Sequence, residues 1–85
     1  MNGEYYINIP QKVAEAHISL GARMLYGQIS RLSNKEGYCY ASNNYLAELL
    51  DCSERSVQRF IEELKDNNFI KVQLCKSYIR HIYII

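Results

Sequence analysis

The chain has 85 residues, of which 48% are hydrophobic and 22% charged. A chain that short builds one small core, which excludes a multi-domain architecture, and its apolar content excludes a disordered tail. Ten basic residues against nine acidic ones leave a net charge of +1, so a nucleic-acid partner has to be argued from where the charges sit. Residues Met1 to Tyr6 lack the basic start and apolar stretch of a signal peptide, and no apolar run nears the roughly 18 residues of a membrane span. A cytoplasmic protein with no membrane contact is the expectation. Cys39, Cys52 and Cys75 are odd in number, contain no Cys-x-x-Cys pair and have no histidine at ligand spacing, so they read as reduced small hydrophobes.

In chain order, residues 4 to 9 alternate loosely and end at Pro10, whose fixed backbone angle can open a short helix from Gln11 to Ala16. Ser19 is a helix cap, and Gly21, Ala22, Leu25, Ile29 and Leu32 follow at the spacing of one helix face, which predicts a helix over about 20–33. The polar stretch Ser33 to Gly37 is a turn, and Tyr38-Cys39-Tyr40 suits a short strand. Ser42 then caps a helix over about 43–51, with Leu46, Ala47, Leu49 and Leu50 inward and Glu48 outward. Ser53 follows almost at once as another cap. With Glu54 in its first turn and the stripe Val57, Phe60, Ile61 and Leu64, it predicts a helix over 53–66. About three residues join these two helices, which forces a sharp angle between them. From Phe69 the period changes to two, so a hairpin over about 69–85 is expected, with a loose tip at Lys76-Ser77.

Helix, short strand, helix, tight turn, helix and hairpin is the order of a winged helix-turn-helix, an α+β fold that is mainly α, with three core helices and a C-terminal β-hairpin wing. The residues Tyr45 to Leu64, followed by Asn68-Phe69-Ile70, resemble the L-A-x-x-L-x-x-S-x-R-[ST]-V-x-R-x-I-x-x-L signature at the N-termini of phage and plasmid replication initiators and replisome organisers. Leu20 to Tyr26 is similar to the first helix of that group, so the resemblance covers about residues 18 to 85. It departs at Asp51-Cys52, where the family usually has Gly and an apolar residue; Asp tolerates the turn conformation. The resemblance implies sequence-specific binding of double-stranded DNA at a replication origin, with further replication proteins as partners of missing C-terminal regions. A transcriptional regulator carries the same pattern, and a protein-interaction module is a reading from another class.

Charge placement bears on the choice. At 100° per residue from Val57, Phe60, Ile61 and Leu64 fall at about −60°, +40° and −20°, whereas Arg55 and Arg59 fall at about +160° and −160°, opposite the core stripe. Ser53, Ser56 and Gln58 flank them, so this helix presents the groups that read base edges and hold phosphates in a major groove. A solvated network pairing Arg59 with Glu62 or Glu63 is the plainer alternative. Residues 43–66 carry a net charge of −3 and residues 67–85 one of +3. Phosphate attraction is therefore assigned to the hairpin, at Lys76, Ser77 and Arg80, and to the helix start at Ser42, Asn43 and Asn44.

Eight tyrosines raise a single-strand stacking reading, in which Tyr45 and Tyr78 are the candidates. Isolated His17 and His81, with no glycine-rich phosphate loop, argue against an enzyme and against any cofactor. The strand face Ile79, His81, Tyr83 and Ile85 is apolar and needs cover, from the N-terminal segment or from a second copy in a homodimer. The apolar ending Ile82 to Ile85 also suits a domain cut from a longer protein.

Overall fold

The computed structural model describes residues 9–75 and 79–85. In chain order these form α1 (Gln11–Ala14), α2 (Leu20–Leu32), α3 (Asn43–Leu50), α4 (Glu54–Asp66), β1 (Ile70–Leu74) and β2 (Arg80–Ile84). The three long helices differ from their expected limits by one residue each, because Ser33, Asp51 and Ser53 take cap rather than helical positions. Among the described residues, no helix is long and apolar enough to cross a membrane.

Each long helix starts on a serine whose hydroxyl takes up an otherwise unpaired amide: Ser19 accepts from Ala22, Ser42 from Tyr45 and Ser53 from Ser56, at 3.1 to 3.2 Å. Their inner stripes then meet. Ala22, Leu25 and Ile29 of α2, Leu46 of α3, and Val57 and Leu64 of α4 are fully buried, with Val13 of α1, Cys39 and Ile82 beside them. Gly21 lets α2 approach α4: a Cβ there would run into the Phe60 ring. Burial pushes the Cys39 thiol up from its ordinary value, which keeps it a neutral packing group.

The turn between α3 and α4 rests on Asp51, which ends α3 in the left-handed conformation at φ 54° and ψ 51°. Its neighbour Cys52 donates its amide back to the Ala47 carbonyl at 3.0 Å, and Ser53 at once starts α4. Asn68, at φ 60°, reverses the chain again after α4, where the Phe69 amide reaches the Leu64 carbonyl at 3.0 Å. Phe69 lies edge-on to Tyr26 of α2, so the hairpin leaves α4 anchored to the helical core.

β1 and β2 pair antiparallel with Ile70 opposite Ile84, Val72 opposite Ile82 and Leu74 opposite Arg80. The expected inward alternation holds at Ile70, which is buried, and at Val72, which is half-buried; it fails at Leu74, 71% exposed, where the strand has left the helices behind. The short strand expected at Tyr38-Cys39-Tyr40 is a single bridge, with Cys39 and Ile82 exchanging both backbone hydrogen bonds at 2.8 Å. Only two residues separate Cys39 from the Ser42 cap, so the chain turns into α3 before a second pair forms. On the outer hairpin face, Tyr38 covers the middle, stacking on His81 at 3.8 Å and lying 5.7 Å from Tyr83, while Ile79 and Ile85 stay exposed. Residues 4–8, one of the two covers expected for that face, lie outside the described residues.

Candidate nucleic-acid interface

The cap at Ser53 and the buried stripe of Val57, Ile61 and Leu64 fix the rotation of α4, and that rotation turns Arg55, Gln58 and Arg59 to the surface. All three are exposed, and their side chains make no hydrogen bond or ion pair among the described residues. Arg59 has its guanidinium carbon 6.0 Å from the Phe60 ring centroid, at the outer limit of a cation–π contact. The expected alternative, Arg59 paired with Glu62 or Glu63, is not formed. Glu62 meets Lys65 at 3.4 Å, an exposed and therefore weak pair. Glu63 turns back to α2, where it accepts from the amide and the hydroxyl of Ser19 at 2.8 and 2.7 Å. The acids in the C-terminal half of α4 thus leave the arginine face uncompensated.

The remaining expected contacts divide into three groups. Ser42 and Ser53 are capping hydroxyls, and Ser53 accepts the Ser56 amide while donating to Ser56 Oγ, both at 3.1 Å. Asn43 and Asn44 tie elements together, Asn44 donating to Glu54 at 3.2 Å across the α3–α4 turn. Lys76 and Ser77, together with Tyr78, lie outside the described residues.

Arg80, expected to attract phosphate near the wing tip, is held against the start of α3. Its Nη1 donates to Asn43 Oδ1 at 2.7 Å and its Nη2 to the Ala41 carbonyl at 2.8 Å. It is half-buried, and that burial, its largest influence, lowers the guanidinium from its ordinary range. The parity of β2 gives the reason. Arg80 shares a face with Ile82 and Ile84, so it points toward the helices while His81 and Tyr83 point away. That parity is the sequence signal for it.

The structure brings Asn43, Gln58 and Arg80 together on the walls of one groove of about 400 Å³ between α4 and the hairpin, with Ile61, Glu62, Lys65 and Val72 completing it. Lys65 is a groove residue that the helix pattern alone does not single out. The arrangement sets an exposed amide and two exposed guanidinium groups along one helix face, beside a groove with a fixed cation in its wall. Such a surface donates hydrogen bonds to acceptor edges and to anionic oxygens.

Known proteins show what kind of scaffold this is. Residues 16–70 match a family model described as a helix-turn-helix domain. The chain belongs to the helix-turn-helix domain family. In it, α3 and α4 are the two helices of the motif and the bend at Asp51 and Cys52 is its turn. The match ends at Ile70, so the hairpin lies almost wholly beyond it. A solved structure described as the N-terminal domain of a DNA binding protein superimposes with a TM-score of 0.76 at 15% identity, covering 96% of this chain and 75% of that one. Identity that low speaks for the fold, and the fold is a mainly helical, winged helix-turn-helix. No curated protein matches the chain.

Proposed function

We propose that this domain binds double-stranded DNA with sequence preference, laying the outer face of α4 in the major groove with the hairpin alongside. The observation that carries the reading is the face of Arg55, Gln58 and Arg59, exposed and unpaired among the described residues, with Glu63 drawn away from Arg59 by Ser19. Arginine suits the acceptor pair of guanine and glutamine the donor–acceptor pair of adenine, so the preferred site contains G and A within one turn of groove. Capping serines and the start of α3 meet phosphates, which set register without reading sequence. The structural neighbour comes from a DNA binding protein, which points the same way.

The resemblance of Tyr45 to Ile70 to phage and plasmid replication initiators supports an origin-binding role, in which the domain delivers other replication proteins to its site. Selection from a random duplex pool tests the reading: an enriched G- and A-containing motif supports it, and its location at an origin rather than a promoter separates replication from transcriptional control. A pool recovered without any enriched motif would contradict sequence preference.

A further inference from the structure

We propose that a second surface, distinct from α4, binds single-stranded DNA by stacking unpaired bases on Tyr40 and Tyr45. The feature begins on the outer hairpin face, where His81 and Tyr83 lie edge to face at 6.2 Å and Tyr38 stacks on His81 at 3.8 Å with an 18° tilt. Tyr40 continues the row, edge-on to Tyr38 at 6.3 Å. Beyond it the row opens into a cleft of about 420 Å³, with Tyr40 and Tyr45 in its walls beside Leu32, Ala41 and Ser42. Tyr40 is 63% exposed and Tyr45 44%, whereas Tyr26, which serves the core, is 2% exposed. Two large rings thus stand in water around an apolar floor.

Charge identifies the occupant. A second cleft of about 350 Å³ shares Tyr40, Ala41 and Ser42 with the first and adds Asn43, Ile79 and Arg80. Among the described residues neither cleft is lined by an acid, and Arg80, held in place by Asn43 and Ala41, supplies a fixed positive charge at the junction. Residues 67–85 carry three basic groups and no acid. Aromatic walls beside a fixed cation are what an unpaired base and its phosphate require: every base has a π-face to stack, and the backbone follows the charge. In a duplex those faces are occupied by neighbouring base pairs, so the ligand is a single strand. The Asn44 to Glu54 contact ties the start of α3, which borders this surface, to the start of α4.

The test uses the full chain, a fluorescein-labelled oligothymidylate of about 12 nucleotides and the same length carrying 2-aminopurine. The proposal expects binding, with quenching of the 2-aminopurine as it stacks. Tyr40→Ala and Tyr45→Ala are each expected to weaken binding about tenfold and to relieve the quenching, while Tyr40→Phe and Tyr45→Phe, which keep the ring, retain both. Both positions are exposed, so unchanged thermal melting confirms that the variants fold. An unlabelled random duplex is expected to leave the 2-aminopurine quenching in place while it displaces labelled duplex, which separates this surface from the α4 reading. An unaltered chain that shows no selectivity among duplexes but intact stacking would sink that reading and support this one. Absence of binding by the unaltered chain, alanine variants that bind like it, or tyrosine-to-alanine changes that break a protein dimer and leave DNA binding alone would overturn the proposal.

Discussion

The Glu63 carboxylate, on the third turn of α4, accepts both the backbone amide and the hydroxyl of Ser19 at the start of α2, at 2.8 and 2.7 Å. One side chain therefore completes the cap of another helix, as the acid of a capping box does, but from 44 residues away. It also takes a negative charge off the side of α4 that carries Arg59. Replacing it by alanine is expected to cost about 1 kcal/mol, a fall in Tm of about 4–8 °C for a domain of this size. Circular dichroism melting checks this. The arginine face itself is untouched, so duplex affinity at fixed salt is expected to hold or to rise.

Arg80 fastens the hairpin to α3 through two donors that diverge from one planar group. Lysine cannot reproduce that fork. Arg80→Lys and Arg80→Ala are both expected to destabilise, by about 1–3 kcal/mol, because the Ala41 carbonyl and the Asn43 side-chain oxygen lose their donor. A melting experiment on both variants decides it: a lysine variant as stable as the parent would show that only charge mattered.

Asp51 occupies the left-handed region at φ 54°, where a Cβ carries a penalty that glycine lacks. Asp51→Gly is expected to raise stability by about 0.5–1 kcal/mol, since a relieved turn outweighs the added freedom of the unfolded chain. Urea unfolding with an unchanged m-value and a higher midpoint is the expected result.

Gly21 faces the Phe60 ring so closely that a methyl group there displaces it. Gly21→Ala is expected to destabilise by about 1 kcal/mol and to cost less in a Phe60→Ala background. A double-mutant cycle measures that coupling, and strict additivity would show that the ring swings aside freely.

What the sequence made legible was what neighbours in the chain decide. Ser19, Ser42 and Ser53 cap their helices through amides three residues on, and Asp51 takes the turn conformation expected of it, so the helices and their rotation were readable. The outward face of Arg55 and Arg59 follows from that rotation alone. Contacts between distant residues were not readable: Glu63 with Ser19, Arg80 with Asn43, and Tyr38 on His81 each join segments more than 35 residues apart. Such pairings decide which charges are free, which is why Arg80 is a clamp rather than a free cation and Glu63 a cap rather than a partner of Arg59.

The arginine face of α4 carries the functional reading, and the measurement closest to it is fluorescence anisotropy of the chain with its selected duplex and with a random duplex at one low salt concentration. Arg55→Ala and Arg59→Ala are each expected to lose about 1–3 kcal/mol on the selected duplex, roughly 5- to 150-fold in affinity, and far less on the random one. Variants that bind both duplexes as the unaltered chain does would contradict the reading.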